Sequence, residues 1–215
     1  MPPSTLNALQ KEFLRAFFDR EKRFFLTGGG ALAGYHLGHR ETLDLDLFVT
    51  DDVIDEGEQA LIASARHIGA SVEALRTAPD FRRRLLARAP ESIVVDLVRE
   101  RAPQAVEEKL VIDGIRIDPP AEILANKLCA LLGRAELRDL VDTMALERSG
   151  LSLEDALVAA RRKDGGLSPA QLAWVLSEIV VGEDARPPGG ITPADLRAYL
   201  HELIGRLTRL AYPGR

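Results

Sequence analysis

The spacing of apolar residues divides the chain into a mixed first half and a helical second half. Leu6, Leu9, Phe13, Leu14, Phe17 and Phe18 recur at helical intervals, opposite a polar face of Lys11, Glu12, Arg15 and Asp19, and predict a helix over residues 6–20. Residues 22–27 then read as a buried strand that stops at Gly28-Gly29-Gly30, and 31–37 as a short helix. At Leu43, Leu45 and Leu47 the period shortens to two. The leucines take one face of a strand, and Asp44 and Asp46 stand side by side on the other. A helix capped by Asp51, Asp52 or Asp55 runs to about Ile68 and stops at Gly69, followed by a strand over 71–77. Residues 81–88 fit either a helix or a strand. The strand is preferred, because the β-branched run Ser92 to Val98 needs an antiparallel neighbour. A hairpin turns at Asp113-Gly114, and Pro119-Pro120 breaks the chain.

Beyond that break the pattern is helical throughout, over about 121–133, 135–149, 152–162, 168–181 and 192–212. Ser168-Pro169 and Thr192-Pro193 place a capping hydroxyl before a proline at the first helical position. Trp174 is assigned to the apolar face of its helix. The expected organisation is an α/β domain over 1–118 and an all-helical domain over 119–215.

Two carboxylates fixed next to each other repel, unless a cation lies between them or one keeps its proton. Mg²⁺ is the usual oxygen-bound cation for such a pair. The glycines add a second requirement, since a strand, a glycine turn and a helix start point backbone N–H groups at an anion. A triphosphate on Gly28 and Gly29, with a metal on Asp44 and Asp46, makes one nucleotide site. Neither G-K-[ST] nor G-x-G-x-x-G is present, so this is not one of the two common phosphate loops.

These residues resemble the DNA polymerase β-like nucleotidyltransferases, in which a Gly-Gly or Gly-Ser turn precedes a strand bearing D-x-D. Gly28-Gly29, Gly38-His39-Arg40, Thr42 and Asp44-Leu45-Asp46-Leu47-Phe48 are together similar to the AbiEii/AbiGii toxin family of type IV toxin–antitoxin and phage-defence systems. The resemblance implies a nucleotidyltransferase fold, a mixed sheet with flanking helices, and a helical C-terminal domain. It implies a third metal carboxylate from a later strand. Asp96, the one charged residue between Ser92 and Val98, takes that role. It also implies a functional lysine in a later helix and an aspartate in a following R-D-x-x-D segment, here Lys127 and Asp142. Lys127 would offset charge on the departing pyrophosphate; Asp142 would either orient Lys127 or act as a base. By spacing alone, Arg138 and Asp142 form an i, i+4 pair. The hydroxyl of Thr42 either satisfies local backbone or touches phosphate or metal, and Arg40 either fixes its loop or contacts the nucleotide.

Composition adds bounds to this reading. At 215 residues, 46% hydrophobic and 28% charged, the sequence is that of an ordinary globular protein. No apolar run is long enough to span a membrane, and Met1-Pro2-Pro3-Ser4 opens no signal peptide. The single cysteine, Cys129, excludes an internal disulfide and points to a reducing cytoplasm. A net charge of -5 excludes nucleic-acid binding over the whole surface and leaves room for a local patch. The run Arg76, Arg82, Arg83, Arg84 and Arg88 is either such a patch for an RNA backbone or a solvated face. The expected activity is two-metal, Mg²⁺-dependent transfer of a nucleoside monophosphate from an NTP to an acceptor hydroxyl, with a tRNA 3′ end or other RNA as acceptor and a cognate antitoxin as partner. The rival readings are transfer to a small molecule such as an aminoglycoside, AMP transfer to a protein, and a nucleotide-binding module without turnover.

Overall fold

The computed structural model describes residues 4–214. Most of the start of the chain, expected to carry no leader, therefore lies outside the described residues. The chain forms two compact units. One extends to Arg101 and takes in Glu108–Pro119; the other comprises Ala102–Glu107 and the chain from Pro120 onward.

The first unit is built on one mixed sheet. Its strands are β1 (Phe25–Thr27), β2 (Asp44–Val49), β3 (Ser71–Ala78), β4 (Phe81–Arg88), β5 (Glu91–Arg99), β6 (Leu110–Ile112) and β7 (Ile115–Ile117). Their order is β3-β4-β5-β2-β1-β7-β6. The β2–β5 and β1–β7 pairs are parallel and the rest antiparallel. Helices α1 (Ala8–Arg20) and α3 (Ile54–His67) pack against each other and on β5. Phe13, Phe17, Phe18 and Phe24 are fully buried beneath them. Asn7 caps α1 through a reciprocal bond with Gln10, so the helix starts two residues later than apolar spacing alone predicts. The expected acidic cap of α3 does not form. Val53 occupies the cap position without a side-chain bond, and Gly69 ends the segment at φ 72°.

Two further differences bear on the site. Leu43 precedes β2 and is 64% exposed, so the buried leucine face consists of Leu45 and Leu47 and continues to Val49. The glycines do not form a turn ahead of a helix. They are its first residues: α2 (Gly28–Ala31) runs directly into a π-helical turn at Leu32–His36. With no side chains to crowd them, consecutive glycines allow the backbone to coil immediately after the strand.

The second unit holds α4 (Pro120–Arg134), α5 (Leu137–Arg148), α6 (Leu153–Lys163), α7 (Pro169–Ser177) and α8 (Pro193–Ala211). Ser152, Ser168 and Thr192 cap α6, α7 and α8. Glu122 accepts the Val106 amide at 2.7 Å and pairs with Lys163, which itself donates to the Pro103 carbonyl at 3.0 Å. Those bonds fasten residues 102–107 to this unit. Trp174 is not a core residue. The face of α7 that is buried carries Leu172, Ala173 and Leu176, and Trp174, two positions beyond Leu172, projects the other way and is 65% exposed. Among the described residues no helix is long and apolar enough to cross a membrane.

Candidate active site

Strand register brings the carboxylates predicted from β2 and β5 together. In the parallel pair, Asp44 lies opposite Val94 and Asp46 opposite Asp96. Alternation then places Asp44, Asp46 and Asp96 on one face of the sheet, with Leu45, Leu47, Val95 and Leu97 buried on the other. The same row continues to both sides. Thr27 pairs with Asp46 across β1, Arg83 with Asp96 across β4, and Arg76 with Arg83 across β3. Five adjacent strands thus present hydroxyl, carboxylate, carboxylate, guanidinium and guanidinium in line.

The Thr27 hydroxyl is buried and has no hydrogen-bond partner in the protein. Such a group is costly to leave unsatisfied, and it adjoins Asp46 in the row. Gly28 follows it in a left-handed conformation, φ 61°, and is packed so closely on Asp46 that a methyl group there would overlap Oδ2 and lie 3.2 Å from Cγ. At Gly29 a methyl would lie 2.7 Å from an Arg40 guanidinium nitrogen and 3.6 Å from the Thr42 hydroxyl. Arg40 is buried and donates to the Glu41 carbonyl at 3.1 Å. Thr42 accepts the Asp44 amide at 3.3 Å, a local backbone role.

The basic run does not form one surface, because β4 alternates. Arg82 and Arg84 point to the helix-covered face, where Glu58 of α3 receives both and Asp55 receives Arg82 at 2.5 Å. Arg88 pairs with Glu12 at 2.5 Å. Arg76 and Arg83 lie on the carboxylate face, with guanidinium carbons 5.7 and 5.9 Å from the Phe81 ring centre. Arg83 also donates to both oxygens of Asp96, at 2.8 and 2.7 Å. That bond, with the charge of Asp96 and the more distant Asp44 and Asp46, holds the Arg83 guanidinium above its ordinary range.

Donors for a hard cation are present in kind and sidedness: three carboxylates and an unsatisfied hydroxyl, all oxygen, on neighbouring strands. Among the described residues no three candidate ligands already converge on a point, and both Asp96 oxygens are engaged by Arg83. The residues fit a divalent ion once Arg83 leaves Asp96.

In the second unit, Lys127 of α4 is buried with Nζ 2.7 Å from Asp139 and 2.6 Å from Asp142, both on α5. Asp139 also receives Arg134 at 2.7 and 3.0 Å, and its backbone carbonyl takes the Thr143 hydroxyl at 2.8 Å. Burial by itself would raise the Asp139 carboxyl, but the Arg134 bond and the charge of Lys127 outweigh it and hold the group below its ordinary range. Arg138 pairs with Glu136 at 2.6 Å, and Asp142 faces inward to Lys127.

Sequence names Arg83 only within the basic run, and singles out neither Thr27 nor Asp139. Asp139 left a readable signal, since Asp139, Asp142, Thr143 and Leu146 share one helix face and polar residues on a buried face need a cation. Thr27 and Arg83 depend on pairing between distant strands, which local pattern does not encode.

A family profile described as nucleotidyl transferase AbiEii toxin, type IV toxin–antitoxin system, matches residues 12–209. No curated protein matches the chain in sequence. Among solved structures, the fold is shared with JHP933 from Helicobacter pylori, at 21% identity, TM-score 0.58, and coverage of 95% of this chain and 93% of that one. MenT4, a nucleotidyltransferase toxin from Mycobacterium tuberculosis, aligns at 18% identity and TM-score 0.67, over 95% of this chain and 84% of its own. The antibiotic-resistance factor ANT(2'')-Ia aligns at 17% identity and TM-score 0.52, over 72% of this chain and 91% of its own. These likenesses establish the predicted fold, a mixed sheet with flanking helices and a helical C-terminal region.

Proposed function

Because the chain belongs to the nucleotidyltransferase AbiEii toxin family, we propose that it transfers a nucleoside monophosphate from an NTP to the hydroxyl of an RNA acceptor, a tRNA 3′ end, as a toxin whose partner is a cognate antitoxin. The observation that carries the site is the pairing of Asp46 with Asp96 in the β2–β5 register, beside Gly28 and the unsatisfied Thr27 hydroxyl.

Asp44, Asp46 and Asp96 would hold Mg²⁺, as one ion or a pair. When bound, that ion polarises the α-phosphate and stabilises charge on the pyrophosphate. Gly28 and Gly29 receive phosphate oxygens through backbone N–H groups, since the close packing there leaves room for no side chain. Arg40 stands against Gly29 and adds positive charge to the phosphate side. Thr42 braces the entry to β2 through the Asp44 backbone, and so positions the first carboxylate. Transfer forms a bond from the acceptor oxygen to the α-phosphorus as that hydroxyl gives up its proton to solvent, and breaks the bond from that phosphorus to the bridging oxygen of pyrophosphate. Within the second unit, the 2.6 Å contact of Lys127 to Asp142 favours an orienting role for that aspartate over a role as base.

Arg76, which with Arg83 is the part of the basic run on the carboxylate face, supports an acceptor with a phosphate backbone. The second reading is a small hydroxylated acceptor, favoured by the fold shared with a resistance factor. Incubation with α-labelled ATP, GTP, CTP and UTP and total RNA, small-molecule extract and protein separates these. The proposal expects label in RNA, lost when Mg²⁺ is chelated. Label confined to a metabolite or protein would overturn the RNA assignment.

A further inference from the structure

Arg82, Arg83 and Arg84 are consecutive, yet only Arg83 lies on the carboxylate face. Arg82 and Arg84 are buried and tied to Glu58 and to backbone carbonyls. Arg83 is different: its side chain is 43% exposed, and its partners are the Asp96 carboxylate and the face of Phe81. Asp96 is only 8% exposed and set in the middle of the sheet. In this ion pair the carboxylate is fixed and the guanidinium can leave.

From this arrangement we infer that Arg83 is a phosphate-binding residue of the nucleotide site, kept on Asp96 until a divalent ion displaces it. The inference rests on the reading of Asp96 as a metal ligand. Asp44, Asp46 and Asp96 lie side by side on this face, and a divalent ion offsets the repulsion between them. The ion requires carboxylate oxygens at roughly 2.0–2.1 Å, and both oxygens of Asp96 already accept hydrogen bonds from Arg83. Two cations crowded on one partly buried carboxylate repel. The released guanidinium, beside the carboxylate row and hinged at β4, then needs an anion, and a forked donor matches phosphate oxygens well. Metal and nucleotide binding are thereby coupled: the metal frees the residue that the nucleotide uses, and an unaccompanied metal must displace it without that replacement partner.

The test is binding, not turnover. Mn²⁺ alone is titrated into wild type, Arg83→Met and Arg83→Lys by electron paramagnetic resonance. ATP, GTP, CTP and UTP are then titrated separately at saturating Mn²⁺. Loss of one charge-assisted pair predicts that Arg83→Met binds Mn²⁺ about 10-fold more tightly, and the best-bound triphosphate about 10-fold more weakly, than wild type. Arg83→Lys, which cannot bridge both Asp96 oxygens, falls between, and carries the test if the methionine variant does not fold. Mn²⁺ affinity unchanged or reduced in these variants would overturn the inference and leave Arg83 as a brace for Asp96. Wild type that binds Mn²⁺ and a triphosphate while the variants match it removes the Arg83 exchange alone. Wild type that binds neither removes the metal-site reading as well.

Discussion

Gly28 and Asp46 are so closely packed that the glycine has no space for a methyl group on the side of the carboxylate. The contact joins the start of α2 to the centre of β2, and it sets where Asp46 points. Gly28→Ala would force a left-handed alanine, at a cost of about 1–2 kcal/mol, and push the carboxylate aside. The expected result is a modest fall in thermal midpoint with a loss of nucleotidyl transfer on the order of 100-fold, the scale of a 1 Å misplacement. Wild-type transfer in a folded Gly28→Ala variant would show that Asp46 need not hold this position.

Gly57 offers the complementary case. A methyl group there would overlap the Phe24 ring beneath α3, away from the carboxylates. Gly57→Ala should destabilise by about 1–3 kcal/mol through overpacking, with transfer per folded molecule unchanged. Urea unfolding alongside a rate normalised to folded protein checks both parts.

These two glycines mark how far sequence carries. The alternation at Leu45, Asp46 and Leu47 gave β2 and its two faces, because a period of two has one structural meaning. Asp113-Gly114 gave the hairpin, and both residues do adopt positive φ, 52° and 80°. Asp96 could be named only through family resemblance, and its partner not at all. That Arg83 sits opposite it depends on β4, β5 and β2 pairing across the sheet, a non-local outcome of packing. Trp174 failed for another reason: its helix ends at Ser177, and the apolar residues after it belong to no helix face.

Asp139 predicts an acid-dependent component of stability. Its folded carboxyl lies below its ordinary range. The contribution is therefore fully present above the unfolded value of about 3.9, and is lost as pH falls from there through the lower folded value. Asp139→Asn should cost about 3–5 kcal/mol at neutral pH, the scale for breaking a buried pair. The difference from wild type should shrink as pH drops below about 4. Chemical denaturation at several pH values measures it; a gap independent of pH would refute the assignment.

Lys163 and Glu122 make a second buried pair, at the attachment of residues 102–107. Lys163→Met leaves Glu122 buried without its cation, and should destabilise by about 3–5 kcal/mol. The replacement of both by well-packed Met and Leu should recover most of the loss, since burial of the charge is what costs. Denaturant midpoints of the single and double variants give the comparison.

The most direct measurement is transfer of α-labelled NTP by wild type against Asp46→Asn, with folding of each verified by its thermal midpoint. If Asp46 and Asp96 together hold the ion that activates the α-phosphate, the asparagine variant folds normally and loses at least about 100-fold in rate, within the range attributed to removing one group that stabilises charge in a transition state. A folded Asp46→Asn protein labelling its acceptor at the wild-type rate would contradict the account.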